Sequence, residues 1–247
     1  MSIVNHEKLT AGISLSNKEK AIAILNSLET RDQVAPGYIS EERYIQHNLM
    51  IADNKPGFMA LQSWLPEDNK VNLIRVFEDG DYVFIHAGYN LGGAMVGMDI
   101  FRFENGKAAE HWDNLELVPT GTTFEAMTEG PLTADDLDKT AANKSLITSY
   151  MQLVILEGGQ DKLTDFIDRN NYTEHQPVIS ASLKYSRIHF VLGEGNFIMV
   201  QSEGELDGKP AGLYDLFRVA NDQVVEHWST VEVILAREDW QNENGKF

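Results

Sequence analysis

Apolar residues recur along this chain in two alternating regimes, and each regime appears twice. Lys18 to Leu28 and, later, Thr140 to Leu156 carry apolar side chains at helical spacing, with Ile147, Tyr150, Met151 and Val154 marking one face of the second stretch. Gly158-Gly159 then predicts the end of that helix. A short helix is expected to run into each of the Tyr-x-x-His sequences that follow, at Tyr44 and Tyr172. Pro56-Gly57-Phe58 to Leu65 predicts a further short helix in the first half only. Strand patterns follow at Lys70 to Phe77, Tyr82 to Tyr89, Ala94 to Phe103 and Lys107 to Leu117, with counterparts from Ser186 onward. Helices first and a strand meander afterwards is an α+β order, with helices on one face of an antiparallel sheet.

The two halves are copies of one module. Asp99-Ile100-Phe101-Arg102 before Glu110-His111-Trp112-Asp113 is answered by Asp215-Leu216-Phe217-Arg218 before Glu226-His227-Trp228-Ser229, with twelve residues from Asp to His in both. Tyr44-Ile45-Gln46-His47-Asn48 is matched by Tyr172-Thr173-Glu174-His175-Gln176, and Gly80-Asp81 leading to His86 by Gly195-Asn196 leading to Gln201. The offset between copies shrinks from 128 at His47 and His175 to 115 at Gly80 and Gly195, so the second copy lacks residues there, the stretch that reads as a short helix in the first. Pro119 to Pro131, rich in Thr, Gly and Pro without a period, is expected to be the linker. The expected domains are residues 1–125 and a diverged 132–247.

Composition narrows the classes of partner. With 38 acidic against 20 basic side chains the formal charge is −18, which repels phosphate backbones and anionic lipid, so neither nucleic acid nor a membrane is expected as a partner. Zero cysteines exclude disulfides and thiolate chemistry. The N-terminal sequence lacks a basic segment followed by an apolar core, and no apolar run approaches a membrane span, which together suggest a cytoplasmic location.

The chemistry hinges on one turn. If Asn105-Gly106 is a two-residue loop, Asp99 lies across from Trp112 and His111 faces away. If Glu104-Asn105-Gly106 is a three-residue loop with a glycine bulge, Phe103 pairs with Lys107 and Asp99 lies across from His111. The second reading is favoured because it gathers Asp99, Phe101, Phe103, Ala109, His111 and Asp113 on one face and leaves Arg102 beside Ala108 on the other. Ala220-Asn221-Asp222 would repeat the loop in the second copy. A carboxylate beside an imidazole can move protons near neutral pH, and a buried aspartate can remove a proton next to a carbonyl. The same pair would equally serve only to satisfy each other at the end of a sheet. Trp112 and Trp228, one residue out of phase, are expected on the opposite face, in packing between the modules.

The ordered motifs from Tyr44-Ile45-Gln46-His47-Asn48 through Asp53, Gly57-Phe58 and His86 to Glu110-His111-Trp112-Asp113 resemble the SnoaL-like polyketide cyclases, within the larger group named after nuclear transport factor two. The resemblance spans most of residues 15–118 and, more loosely, 140–235. It implies a cone-like module in which a curved antiparallel sheet wraps on N-terminal helices around a pocket. It further implies an aspartate acting as acid/base for ring closure without metal or organic cofactor, for which Asp113 or Asp99 is the match. His47, His86 and His111 fall at motif positions expected to line the cavity; Leu49 replaces a family proline that Pro177 keeps in the second copy. The combined expectation is an enzyme acting on a small apolar carbonyl compound, as cyclase, isomerase or lyase. Asp113, Asp99, His111 and His47 would be catalytic, and His86, Tyr44, Asn48 and Phe101 would contact substrate. The alternative is a pocket of the same fold that binds a hydrophobic ligand or mediates assembly without catalysis. No metal site is expected from the scattered spacing. With Gln201, Ser229 and Glu174 replacing His86, Asp113 and Gln46, the second copy is expected to stand in for a dimer partner, as an intramolecular pseudo-dimer, homo-oligomers remaining possible.

Overall fold

A computed structural model describes residues 15–175 and 182–247; Gln176 and Pro177 of the second Tyr-x-x-His motif lie outside the described residues, as does the N-terminal stretch before Leu15. The first module opens with α1 (Asn17–Thr30), whose start is fixed by a capping box between Ser16 and Glu19. Ala21, Ile24, Leu25 and Leu28, spaced along one helical face, are buried beneath it. The chain continues through a single 3-10 turn at Ala35–Tyr38, β1 (Ile45–Gln46) and α2 (Asn54–Trp64). The meander β2 (Lys70–Asp79), β3 (Tyr82–Asn90), β4 (Ala94–Glu104) and β5 (Lys107–Leu117) completes it. A connecting helix α3 (Phe124–Thr128) leads to the second module: α4 (Thr140–Tyr150), α5 (Leu163–Phe166), β6 (Thr173–Glu174), β7 (Leu183–Glu194), β8 (Phe197–Leu206), β9 (Lys209–Ala220) and β10 (Gln223–Val233).

The α+β expectation holds, and so does its duplication. The strand orders are β1-β5-β4-β3-β2 and β6-β10-β9-β8-β7, with β1 and β6 each added parallel to the last strand of its meander. A short helical turn precedes each Tyr-x-x-His sequence, Ala35–Tyr38 before the first and α5 before the second. The motifs themselves are extended, each pairing with the edge of its sheet: Gln46 with His111, and Glu174 with His227. The Pro119 to Pro131 stretch is not featureless, since Thr123 caps α3 through a bond from the Ala126 amide. Helix α4 runs on into a wider turn over Met151–Leu156, and the predicted face of Ile147, Tyr150, Met151 and Val154 is buried. The helix expected in the first copy alone is α2. Between β6 and β7 the second module has room only for residues 175–182, against 47–69 in the first.

Alternation within the strands sends side chains to two different cores. Val83, Ile85, Ala87, Phe101 and Phe103 face inward onto α1 and Phe58. The intervening Phe84, Met98, Ile100 and Trp112 face outward and meet Phe197, Met199, Tyr214, Leu216 and Trp228 of the second sheet. The modules therefore pack sheet back to sheet back, as expected from the phase of the two tryptophans. Burying each such large side chain contributes roughly 1.5–3 kcal/mol. Polar bonds repeat across the junction with near two-fold symmetry: the Leu115 amide donates to Glu232 and the Val231 amide to Glu116, each at 2.8 Å. Asn114 reaches the Gly212 and Thr230 carbonyls at 3.2 and 2.9 Å. A Cβ at Gly212 would lie 2.6 Å from the Asn114 side-chain oxygen, so that close approach requires glycine.

Candidate active site

Neither predicted reading of the hairpin is correct, yet Asp99, Phe101, Phe103, His111 and Asp113 do share the inner face; Ala108 joins them in place of the expected Ala109, which lies with Arg102 on the other side. Asn105 and Gly106 both take positive φ, 51° and 72°, and form a two-residue turn with Glu104 opposite Lys107. Phe103 then pairs with Ala108, and Arg102 with Glu110, leaving Ala109 as an extra residue in β5. This bulge restores the phase that the short turn would have lost. Phe101 lies across from His111, Asp99 across from Asp113, and Arg102 beside Glu110 rather than Ala108. The second hairpin repeats the arrangement: Asn221 and Asp222 turn the chain, Val225 is extra, and His227 lies across from Phe217.

Asp99, His111 and Asp113 form the floor of a cavity of about 490 Å³ inside the first module. Its walls are largely apolar, from Leu25, Phe58, Leu61, Leu65, Met95 and Leu115, and Met50 and Trp64 flank it while remaining well exposed. Tyr44, Asn48 and Phe101 also line it, as expected. Tyr89 and Gln46 were not anticipated; Tyr89 lies on the inward phase of β3 and Gln46 beside the flagged His47, so strand phase alone could have found both.

The bonds fix several orientations. Gln46 Oε1 accepts from the Asn48 amide at 2.9 Å, so that oxygen also accepts from His111 Nδ1 at 3.0 Å. His111 Nε2 is thereby turned to Asp99 Oδ1, 3.2 Å away along the diagonal of the strand pair. The other Asp99 oxygen accepts from the Tyr89 hydroxyl at 2.6 Å. Asn48 donates to Asp113 Oδ2 at 2.7 Å, while Asp113 Oδ1 is buried without a hydrogen-bond partner among the described residues. Burial holds the Asp99 carboxyl above the usual range despite its hydrogen bond to His111. Burial, with the Asp113 and Asp99 charges, pushes the Tyr44 phenol well above its ordinary value, so it stays a donor at neutral pH.

Two of the predicted site histidines lie elsewhere. His47 stacks on Trp112 with ring centres 4.7 Å apart, and its nitrogens meet Glu110 at 3.0 Å and the Gly245 carbonyl at 2.8 Å. His86 lies 2.9 Å from Arg75, on the sheet's outer face, where burial and that guanidinium push its imidazole well below its ordinary value. Neither lines the cavity: the motif supplied the residue type, but strand phase sends each to the module junction.

Asp99, His111 and Asp113 each offer one ligand atom, all within 4.8 Å of one another, a spacing that could hold a metal ion. The ammonium of Lys246, 3.7 Å from Asp113 Oδ1, already supplies a positive charge there and would compete with such an ion.

Among the described residues no helix is long and apolar enough to cross a membrane. No protein-family model matches the chain, and no curated protein matches it. Solved structures do. A proposed ketosteroid isomerase from Kribbella flavida shares 15% identity over 48% of this chain and 91% of its own, with a TM-score of 0.38. IdmH, a proposed polyketide cyclase of Streptomyces antibioticus, shares 11% over 41% of this chain and 93% of its own, with a TM-score of 0.36. An epoxide hydrolase of M. tuberculosis shares 14% over 40% of this chain and 82% of its own, with a TM-score of 0.34. The similarity is one of fold, and the chain's structural neighbours are of the polyketide cyclase and nuclear transport factor two-like, ketosteroid isomerase-fold kind.

Proposed function

We propose that the first module is an acid/base enzyme for a small apolar carbonyl compound, working without an organic cofactor. The observation that carries this is Asp113 Oδ1, a buried carboxylate oxygen without a hydrogen-bond partner among the described residues, in the floor of a cavity with largely apolar walls. Both Asp99 oxygens are engaged, one by Tyr89 and one by His111, which favours Asp113 as the base. Asn48 holds the second Asp113 oxygen and so aims the first. In this reading Asp113 removes a proton next to the substrate carbonyl, and the Tyr44 phenol donates to the developing enolate oxygen. Asp113 then returns that proton to the product carbon, and the phenol of Tyr44 keeps its own. An apolar substrate body would be held by the Phe58, Leu61 and Met95 walls after entering between Met50 and Trp64.

The test is exchange of α-hydrogens in D2O, followed by NMR over a panel of apolar ketones. Asp113→Asn is expected to lower exchange by about 10²–10⁴-fold, the usual contribution of a positioned base, with ligand affinity kept. Exchange at the unaltered rate in that variant would remove Asp113 from the chemistry. Ligands that bind the unaltered protein with no exchange across the panel would instead support a binding pocket.

A further inference from the structure

The segment 46–53, which contributes Gln46, Asn48, Met50 and Ile51 to the lining of the first-module cavity, is held by the C-terminal tail of the second module. After β10, the Gln241 amide donates to the Leu49 carbonyl at 2.8 Å. Asn242 donates to the Asn48 and Ile51 carbonyls at 2.8 and 2.9 Å, and Asn244 to the Gln46 carbonyl and Asp53 at 3.0 and 2.6 Å. His47 donates to the Gly245 carbonyl at 2.8 Å. The segment so gripped, residues 46–53, carries Gln46 and Asn48, which orient His111 and Asp113.

The next residue is Lys246. Its side chain is only 3% exposed, and an ammonium so deep in the protein is costly unless it meets opposite charge. It lies 2.7 Å from Glu232 Oε2 and 3.7 Å from Asp113 Oδ1. The aspartate oxygen it approaches is the one without a hydrogen-bond partner among the described residues. Two carboxylates, Asp99 and Asp113, face each other across β4 and β5, and their mutual repulsion needs a counter-charge.

We infer that Lys246 is a positioning residue for the first-module site: the tail of the second module supplies the ammonium that keeps Asp113 usable as a carboxylate beside Asp99. The inference rests on the proposed role of Asp113, but its test reads no turnover. The groups that bear on Asp113 are Asp99, His111, Tyr44, Tyr89, Tyr214, Glu232 and Lys246, and only the last three belong to neither the floor nor the walls of the cavity, Tyr214 lying in the junction between the sheets. Lys246 and Glu232 carry opposite charges, so removing each must move Asp113 in opposite directions.

The measurement is the Asp113 side-chain carboxyl ¹³C shift against pH in the full-length protein. Lys246→Met is expected to move its midpoint up by about one pH unit, and Glu232→Gln to move it down. Lys246→Arg, which keeps the charge, is expected to restore the original midpoint. If Lys246→Met does not fold, Glu232→Gln alone decides, because it leaves Lys246 to Asp113. A midpoint that stays fixed, or that moves the same way in the two variants, overturns the inference and leaves Lys246 as a structural anchor. Loss of α-hydrogen exchange in Asp113→Asn bears on the proposed reaction and leaves this titration unaffected, so the two failures are distinguishable.

Discussion

His111 and His227 occupy the same place in two copies of one module, yet they are set up for opposite behaviour. Each lies on the last strand of its meander, opposite a phenylalanine, with Nε2 toward an aspartate on the neighbouring strand. The difference is on the other nitrogen. His111 Nδ1 meets the neutral amide of Gln46, whereas His227 Nδ1 meets the carboxylate of Glu174 at 2.9 Å. Burial alone would lower the His227 pKa, but Glu174 and Asp215 outweigh it and raise it to about 10. That imidazole is cationic at neutral pH. Ser229, in place of Asp113, faces Asp215 across the strands, and the second module lacks the span that would hold a counterpart of α2. Two changes of charge, Glu174 for Gln46 and Ser229 for Asp113, and one shorter span distinguish the second module from the first.

The largest expected effect concerns the junction that joins the halves. Trp228 is fully buried, donates from its indole nitrogen to the Glu129 carbonyl at 3.0 Å, stacks on His175 and lies 4.2 Å beneath the Arg75 guanidinium. Trp112, its counterpart, stacks on His47, and its indole N–H has no hydrogen-bond partner among the described residues. Trp228→Ala is expected to cost about 3–5 kcal/mol in chemical denaturation. Trp112→Ala should cost about 1 kcal/mol less, for want of that hydrogen bond and the overlying cation. Equal losses would mean that the junction is energetically symmetric, against the geometry.

Much of this arrangement was legible before any coordinates. The repeat, the α+β order and the outward phase of the tryptophans follow from periodicity and spacing, which are local properties of a strand. The cavity face was also legible, although the reason was not: a bulge at Ala109 cannot be read from the Asn105-Gly106 turn, because it arises where β5 pairs with β1 as well as β4. Phase explains the misplaced histidines too, since motif resemblance fixes a position without fixing which side of the sheet it faces. Lys246 was beyond reach for a different reason. Its partners Asp113 and Glu232 are brought to it by a crossing tail, a contact with no sequence-local signature.

A transplant tests whether charge at one position separates the two histidines. Gln46→Glu gives His111 the partner that His227 has. The new carboxylate keeps the acceptor for the Asn48 amide and adds a charge beside the imidazole. Ring-proton NMR of this variant is expected to show the imidazole holding its proton to higher pH than in the unaltered protein, and α-hydrogen exchange at pH 7 is expected to fall about tenfold as the proton stays on the ring. Unchanged titration would place the difference between the modules in the missing helix rather than in this residue.

The reciprocal change, Glu174→Gln, has the smallest effect and a defined sign. His227 has a folded pKa of about 10, above its ordinary 6.5, so its charged form is favoured by folding. The resulting stability is fully present below about pH 6.5 and is lost as pH rises through about 10. Glu174 is 38% exposed, so water screens its share of the interaction, and removing it should cost no more than about 1 kcal/mol. Thermal melts of the variant and the unaltered protein should therefore differ most below pH 6.5 and converge above pH 10. The opposite trend, with the gap widening as pH rises, would mean that His227 is neutral in the folded protein and that the second module has kept a histidine able to exchange its proton.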